Sequence, residues 1–133
     1  MTNLFFVYGT LMRGECRGHL MENLGAEPVC LAHTSGRLLH CGGYPGMVVP
    51  EHPTHETVKG ELVRVHDLKQ AFEALDRVEG YVPENPGMSL FQRTTIAAVT
   101  PDGGTETAWA YLYAGMNHLY PVIASGDWRA SKG

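Results

Sequence analysis

The sequence predicts an α+β fold whose sheet is strongly curved or barrel-like. Three observations carry that prediction. Five to seven β-type runs are joined mostly by hairpin-like turns. An unbroken apolar run near the start reads as a strand buried on both faces, hence central in its sheet. One amphipathic helix interrupts the strands at mid-chain, and a shorter one follows the first strand.

The elements follow in order. Leu4-Phe5-Phe6-Val7-Tyr8 is the central strand, and it stops at Gly9. Thr10-Leu11-Met12-Arg13-Gly14 is a tight loop, residues 17–24 read as a short helix, and Gly25 ends it. Residues 29–39 are extended, with Gly36 as a bulge. Residues 41–46 (CGGYPG) form a dense turn signal, and Met47-Val48-Val49 is a brief strand ended by Pro50 and Pro53. Residues 57–66 alternate, with Val58, Gly60, Leu62 and Val65 on one face, although Val63 breaks the period.

Residues 67–81 (DLKQAFEALDRVEGY) organise the middle of the chain. Asp67 caps a helix, and Gln70 stands where a capping-box partner belongs. Leu68, Phe72 and Leu75 follow at i, i+4 and i+7, Lys69, Glu73 and Arg77 take the other side, and Gly80 is the stop. Residues 82–88 (VPENPGM) must be a loop. Residues 89–100 and 105–113 are strands joined by the hairpin signal Pro101-Asp102-Gly103-Gly104. A tail from Asn117 to Trp128 follows, and residues 129–133 are expected to fray. No linker or repeat divides the chain, so residues 1–133 form one domain.

Composition narrows the function classes. The 133 residues are 44% hydrophobic and 18% charged, with a formal net charge of −4 and no run of like charge. Nucleic acid and anionic membrane are therefore not expected as partners. Residues 4–7 are too short for the apolar core of a signal peptide, and no stretch would span a bilayer, so the expected location is cytoplasmic. Cys16, Cys30 and Cys41 read as free thiols. Seven histidines invite a metal reading, but no CxxC or HExxH is present, and the spacings around Cys16–His19 and His40–Cys41 match no structural zinc site. No metal is expected.

One position on the apolar stripe of the mid-chain helix is chemically out of place. The i+11 position is Glu79, so the face that enters the core ends in a carboxylate. Burial there, the negative end of the helix and nearby Asp76 would all raise its proton affinity and make it a candidate general base. The plainer alternative is a glutamate at a frayed helix end, turned to water. The second candidate is the loop after the first strand. Gly9 permits close backbone approach, and successive N–H groups of Gly9, Thr10 and Leu11 could cup an anion. By itself that pattern is more often a simple turn.

Together, VYGTLMRG near the N-terminus, LDRVEGY in the middle, FQRT after it and AWAYLY before the tail resemble the gamma-glutamylcyclotransferase-like family. Within it, the chain is similar to the short gamma-glutamylamine cyclotransferase-type members, over nearly its whole length. The resemblance implies a small mixed barrel flanked by short helices. It implies that Tyr8, Gly9, Thr10 and Leu11 bind a gamma-glutamyl group, that Tyr120 contacts substrate, and that Glu79 is the catalytic acid/base. Two departures stand out. Phe91 occupies a position where many relatives have Tyr, and residues 82–88 lengthen the loop beside Glu79.

The implied chemistry needs no cofactor, because a gamma-glutamyl amide carries its own nucleophile in the α-amine. A base removes a proton, the amine closes on the side-chain carbonyl, and 5-oxoproline leaves with a free amine or amino acid. Other candidates fit less well. Thr10 has no sequence-adjacent base, and Ser89 has no nucleophile-elbow motif. His33, His40, His52, His55 and His66 read as surface residues, and Arg93 as a structural ion-pair partner. Trp109, Tyr111 and Trp128 read as core or pocket wall. Two alternatives stand beside the enzyme reading: a pocket that binds a gamma-glutamyl or small carboxylate ligand without turnover, and a tailoring enzyme that strips a gamma-glutamyl group from a larger metabolite.

Overall fold

The computed structural model describes residues 2–50, 55–85, 89–115 and 119–131. His52, Pro53, residues 86–88 of the loop after Tyr81, Asn117 and residues 132–133 lie outside that description. The apolar run at the start forms β1 (Leu4–Val7), and all four side chains are buried. β1 pairs antiparallel with β5 (Thr57–Arg64). On its other side it runs parallel to β7 (Thr105–Tyr113), with Phe5 opposite Trp109. β5 continues to β2 (Glu27–Ser35), and β2 meets β6 (Phe91–Val99) where His33 faces Val99. β6 and β7 form the expected hairpin, turned where the Thr100 amide donates to the Gly104 carbonyl at 2.9 Å. The five strands close into a barrel in the order β1-β5-β2-β6-β7. β3 (Arg37–His40) and β4 (Pro45–Val48) form a separate two-stranded sheet.

The helices are α1 (Gly18–Asn23), α2 (Leu68–Glu79) and α3 (Trp128–Ser131). α2 begins as read from the sequence: the Gln70 amide donates to Asp67 Oδ1 at 3.1 Å. It ends at Gly80, whose φ of 70° takes the left-handed conformation that a Cβ disfavours. Ala71 and Leu75 are fully buried against the barrel, and Phe72 meets Phe5 and Trp109 edge-on. No helix of the described residues is long and apolar enough to cross a membrane.

Two expectations are corrected. Gly36 is not a bulge; it marks the break at which the chain leaves β2 for the separate β3–β4 sheet. The chain passes so close beneath β4 there that a Cβ would lie 3.2 Å from the Val48 carbonyl oxygen. The irregularity in β2 falls instead between Pro28 and Cys30, where a proline has no N–H for the ladder. The second correction concerns residues 129–131, which do not fray. They continue α3 from the buried Trp128, with the Arg129 amide on Asp127 Oδ1 at 3.0 Å. The Arg129 guanidinium reaches Glu61 Oε2 at 3.1 Å, which ties α3 to β5.

Candidate active site

The loop after β1 is fixed by its carbonyls. The Met12 amide donates to the Gly9 carbonyl at 3.0 Å, and the Arg17 amide to the Thr10 carbonyl at 2.8 Å. The amides of Gly9, Thr10 and Leu11 donate to no protein acceptor among the described residues. Three successive N–H groups are thus left for something else. Gly9 is required for a reason the sequence did not show: a Cβ would lie 2.5 Å from Pro45 Cγ, so the loop packs directly on the β4 proline.

Tyr8 immediately precedes this loop, and its hydroxyl is committed to the protein. It donates to the Tyr111 carbonyl at 2.6 Å and accepts from the Met47 amide at 3.1 Å. Burial first, and then the nearby Glu79 charge, push the phenol well above its ordinary range, so the hydroxyl stays protonated.

Glu79 is the last residue of α2, and the chain beyond it is held. The Tyr81 amide donates to the Asp76 carbonyl at 2.9 Å, and the Leu90 amide to the Gly80 carbonyl at 3.1 Å. The carboxylate accepts no hydrogen bond among the described residues, and burial raises its pKa from 4.5 to about 7, with Arg17 opposing. Asp76 does not supply the like-charge push expected from sequence. Its charge is paired instead: the Arg93 guanidinium donates to Oδ2 at 2.6 Å, and the Tyr111 hydroxyl to Oδ1 at 2.6 Å. Arg93 is therefore the structural ion-pair partner read from the sequence, and it also lies 3.6 Å over the Phe72 ring.

These elements converge. Tyr8, Gly9, Thr10, Leu11 and Glu79 all line one cavity of about 100 Å³, a size suited to a small head group. Tyr44 and Phe91 wall it, and Arg17 is the cation on its lining. The loop after Tyr81 feeds Leu90 and Phe91 into that wall, while residues 82–85 are exposed. Tyr120 does not line the cavity; its ring stands 5.9 Å from that of Tyr113, edge to face. A larger groove of about 710 Å³, reaching Lys59, Thr100 and Arg129, contains none of the expected site residues. Ser89 is structural, since its hydroxyl oxygen accepts from the Val82 amide at 2.8 Å. His40 packs against Trp128 at 5.3 Å and is only half-exposed, whereas His33, His55 and His66 are exposed as expected. Among the described residues no group of three or more His, Cys, Asp or Glu is placed to hold a metal. Sequence reasoning missed Arg17, because its place on the lining depends on the turn that folds the α1 entrance back onto Thr10.

Residues 5–130 match the profile of a family described as "Gamma-glutamyl cyclotransferase, AIG2-like". The chain belongs to this family. A Vibrio cholerae relative named "Putative gamma-glutamylcyclotransferase" is 35% identical over 130 residues, covering 96% of each chain. The crystal structure of YkqA from Bacillus subtilis superposes with a TM-score of 0.76 at 26% identity, over 99% of this chain and 41% of YkqA. An AIG2-like protein from Mus musculus superposes with a TM-score of 0.70 at 26% identity, over 94% of this chain and 88% of its own. The gamma-glutamyl cyclotransferase fold, a closed mixed barrel with short flanking helices, is thus shared along essentially the full chain.

Proposed function

We propose that the protein is a cofactor-independent gamma-glutamylcyclotransferase that releases 5-oxoproline from a small gamma-glutamyl amine or gamma-glutamyl amino acid. The observation that carries the reading is the meeting of Glu79 with the free amides of Gly9, Thr10 and Leu11 on one cavity. A carboxyl whose pKa is about 7 is half ionised near neutrality, the range in which a general base both accepts and returns a proton.

The step balances without a protein nucleophile. Glu79 takes one proton from the substrate α-ammonium. The amine nitrogen then bonds to the γ-carbonyl carbon, and the carbonyl electron pair moves onto oxygen, where the loop amides receive it. Glu79 returns its proton to the leaving nitrogen, the carbonyl re-forms and the old C–N bond breaks. The ring nitrogen sheds its second proton, and the departing amine leaves as an ammonium ion. Holding the substrate folded for ring closure supplies effective molarities of about 10⁵–10⁸ M. A positioned base adds about 10²–10⁴-fold, and an oxyanion donor about 10²–10³-fold.

The test is 5-oxoproline release from a panel of gamma-glutamyl amines and gamma-glutamyl dipeptides. Release from at least one member is expected. Saturable binding of panel members with no release from any would replace the enzyme with a binding module.

A further inference from the structure

Three of the arginines are matched inside the protein: Arg37 with Glu56, Arg93 with Asp76 and Arg129 with Glu61. Arg17 is different. It stands at the N-cap of α1 without capping the helix through its side chain. No carboxylate among the described residues lies within ion-pair distance of it, yet it lines the cavity that also holds Glu79. Its backbone is fixed to the anion-cupping loop through the Thr10 carbonyl at 2.8 Å. The chain is pressed there, since a Cβ at Gly18 would lie 2.6 Å from the Met12 carbonyl oxygen.

Among the described residues, the cavity therefore presents one cation and one anion that feel each other without touching. An α-amino-acid head group has the complementary pair, an ammonium and a carboxylate on the same carbon. If the ammonium faces Glu79, as ring closure requires, the carboxylate falls one carbon away and needs a separate positive partner. We infer that Arg17 is the specificity-determining residue that binds the substrate α-carboxylate, an inference that rests on the cyclisation reading for which end of the substrate enters first. The planar guanidinium presents paired donors that match a carboxylate, and no point charge reproduces that geometry. The substrate class is narrowed accordingly: gamma-glutamyl compounds with a free α-carboxylate are accepted, and their α-carboxamides are rejected.

The test uses two readouts on the full chain. NMR titration measures binding of 5-oxoproline and of 5-oxoprolinamide to the wild type, Arg17→Met and Arg17→Lys. Kinetics compare a gamma-glutamyl amine with its α-carboxamide. Arg17→Met keeps the apolar stem and the backbone bond to Thr10, and is expected to stay folded. It should weaken 5-oxoproline binding about 10- to 100-fold, the size of a lost charged hydrogen bond. Binding of the amide should not change, the kinetic loss should fall on KM rather than kcat, and Arg17→Lys should be intermediate. Equal losses for both ligands, or none for either, overturn the assignment. The two proposals separate cleanly. Arg17-dependent discrimination without 5-oxoproline release leaves Arg17 in place and ends the cyclisation reading. Release with no Arg17 dependence does the reverse.

Discussion

Burial holds the Glu79 carboxyl at about 7, so its charge is present only from near neutrality upward. The sign of the stability effect follows. The folded pKa lies above the unfolded value of 4.5, so between 4.5 and about 7 the folded state binds more protons than the unfolded state. The contribution is fully present below 4.5, falls as pH rises through that window, and is flat above about 7. Glu79→Gln removes the titration. It should match the wild type in urea-unfolding stability near pH 4.5 and exceed it by about 1–3 kcal/mol at pH 8. The same variant should lose at least about 10²-fold in kcat/KM. Parallel stability profiles would mean that the carboxyl is solvated. Wild-type kcat/KM should itself rise with pH through an acid limb near Glu79's value. At Gly9, alanine would press on Pro45, and a cost of about 1–3 kcal/mol in denaturant unfolding is expected, with a raised KM. Glu79 was legible in the sequence because the helical stripe runs into it. The committed hydroxyl of Tyr8 was not, since its partners Met47 and Tyr111 come from distant strands.

At the scale of elements, α2 was readable from end to end, because its cap, its stripe and its glycine stop are all local signals. What the helix does with Asp76 was not readable. On the helix alone, Asp76 is a negative neighbour of Glu79; in the barrel, β6 and β7 bring Arg93 and Tyr111 to it. The same long-range pairing explains why Gly36 looked like a bulge: only the β3–β4 sheet shows that the chain changes partners there. The Asp76 cluster sits one turn before Glu79 and ties α2 to β6 and β7. Asp76→Asn leaves Arg93 charged and largely enclosed, with 17% of its side chain exposed, so a loss of about 3 kcal/mol is expected in denaturant unfolding. Arg93→Met also forfeits the contact over Phe72 and should cost a similar amount. The double variant should lose less than the sum of the two, since neither then strands a charge. Single-variant losses below about 1 kcal/mol would mean that the pair is effectively solvated.

Across the whole molecule, the barrel is two hydrogen-bonded units that meet along thin seams. β1, β5 and β2 form antiparallel ladders, interrupted between Pro28 and Cys30, and β6 and β7 form another. Between the units, the register is Phe5 with Trp109 at one seam and His33 with Val99 at the other. Closure was hard to read from sequence for this reason: a single registered pair on each side leaves no periodic trace. Side chains bridge the first seam through Phe72 between Phe5 and Trp109 and through Tyr8 on the Tyr111 carbonyl, and the second through the Thr34 hydroxyl on the Ala97 carbonyl at 2.8 Å. The cavity straddles one of them, with Gly9, Thr10 and Leu11 from the first unit and Phe91 and Tyr111 from the hairpin. A ligand that touches both walls should therefore oppose their separation. In native-state hydrogen exchange, amides bonded across β6 and β7 should open with a lower free energy than those of β1 and β5. A bound 5-oxoproline at about 100-fold excess over its Kd should slow hairpin exchange up to about 100-fold when opening destroys the site. Arg93→Met should speed hairpin exchange more than β1–β5 exchange, because it loosens the hairpin's grip on α2. Uniform protection of all five strands, unchanged in pattern by ligand or by Arg93→Met, would show that the barrel opens only as a whole.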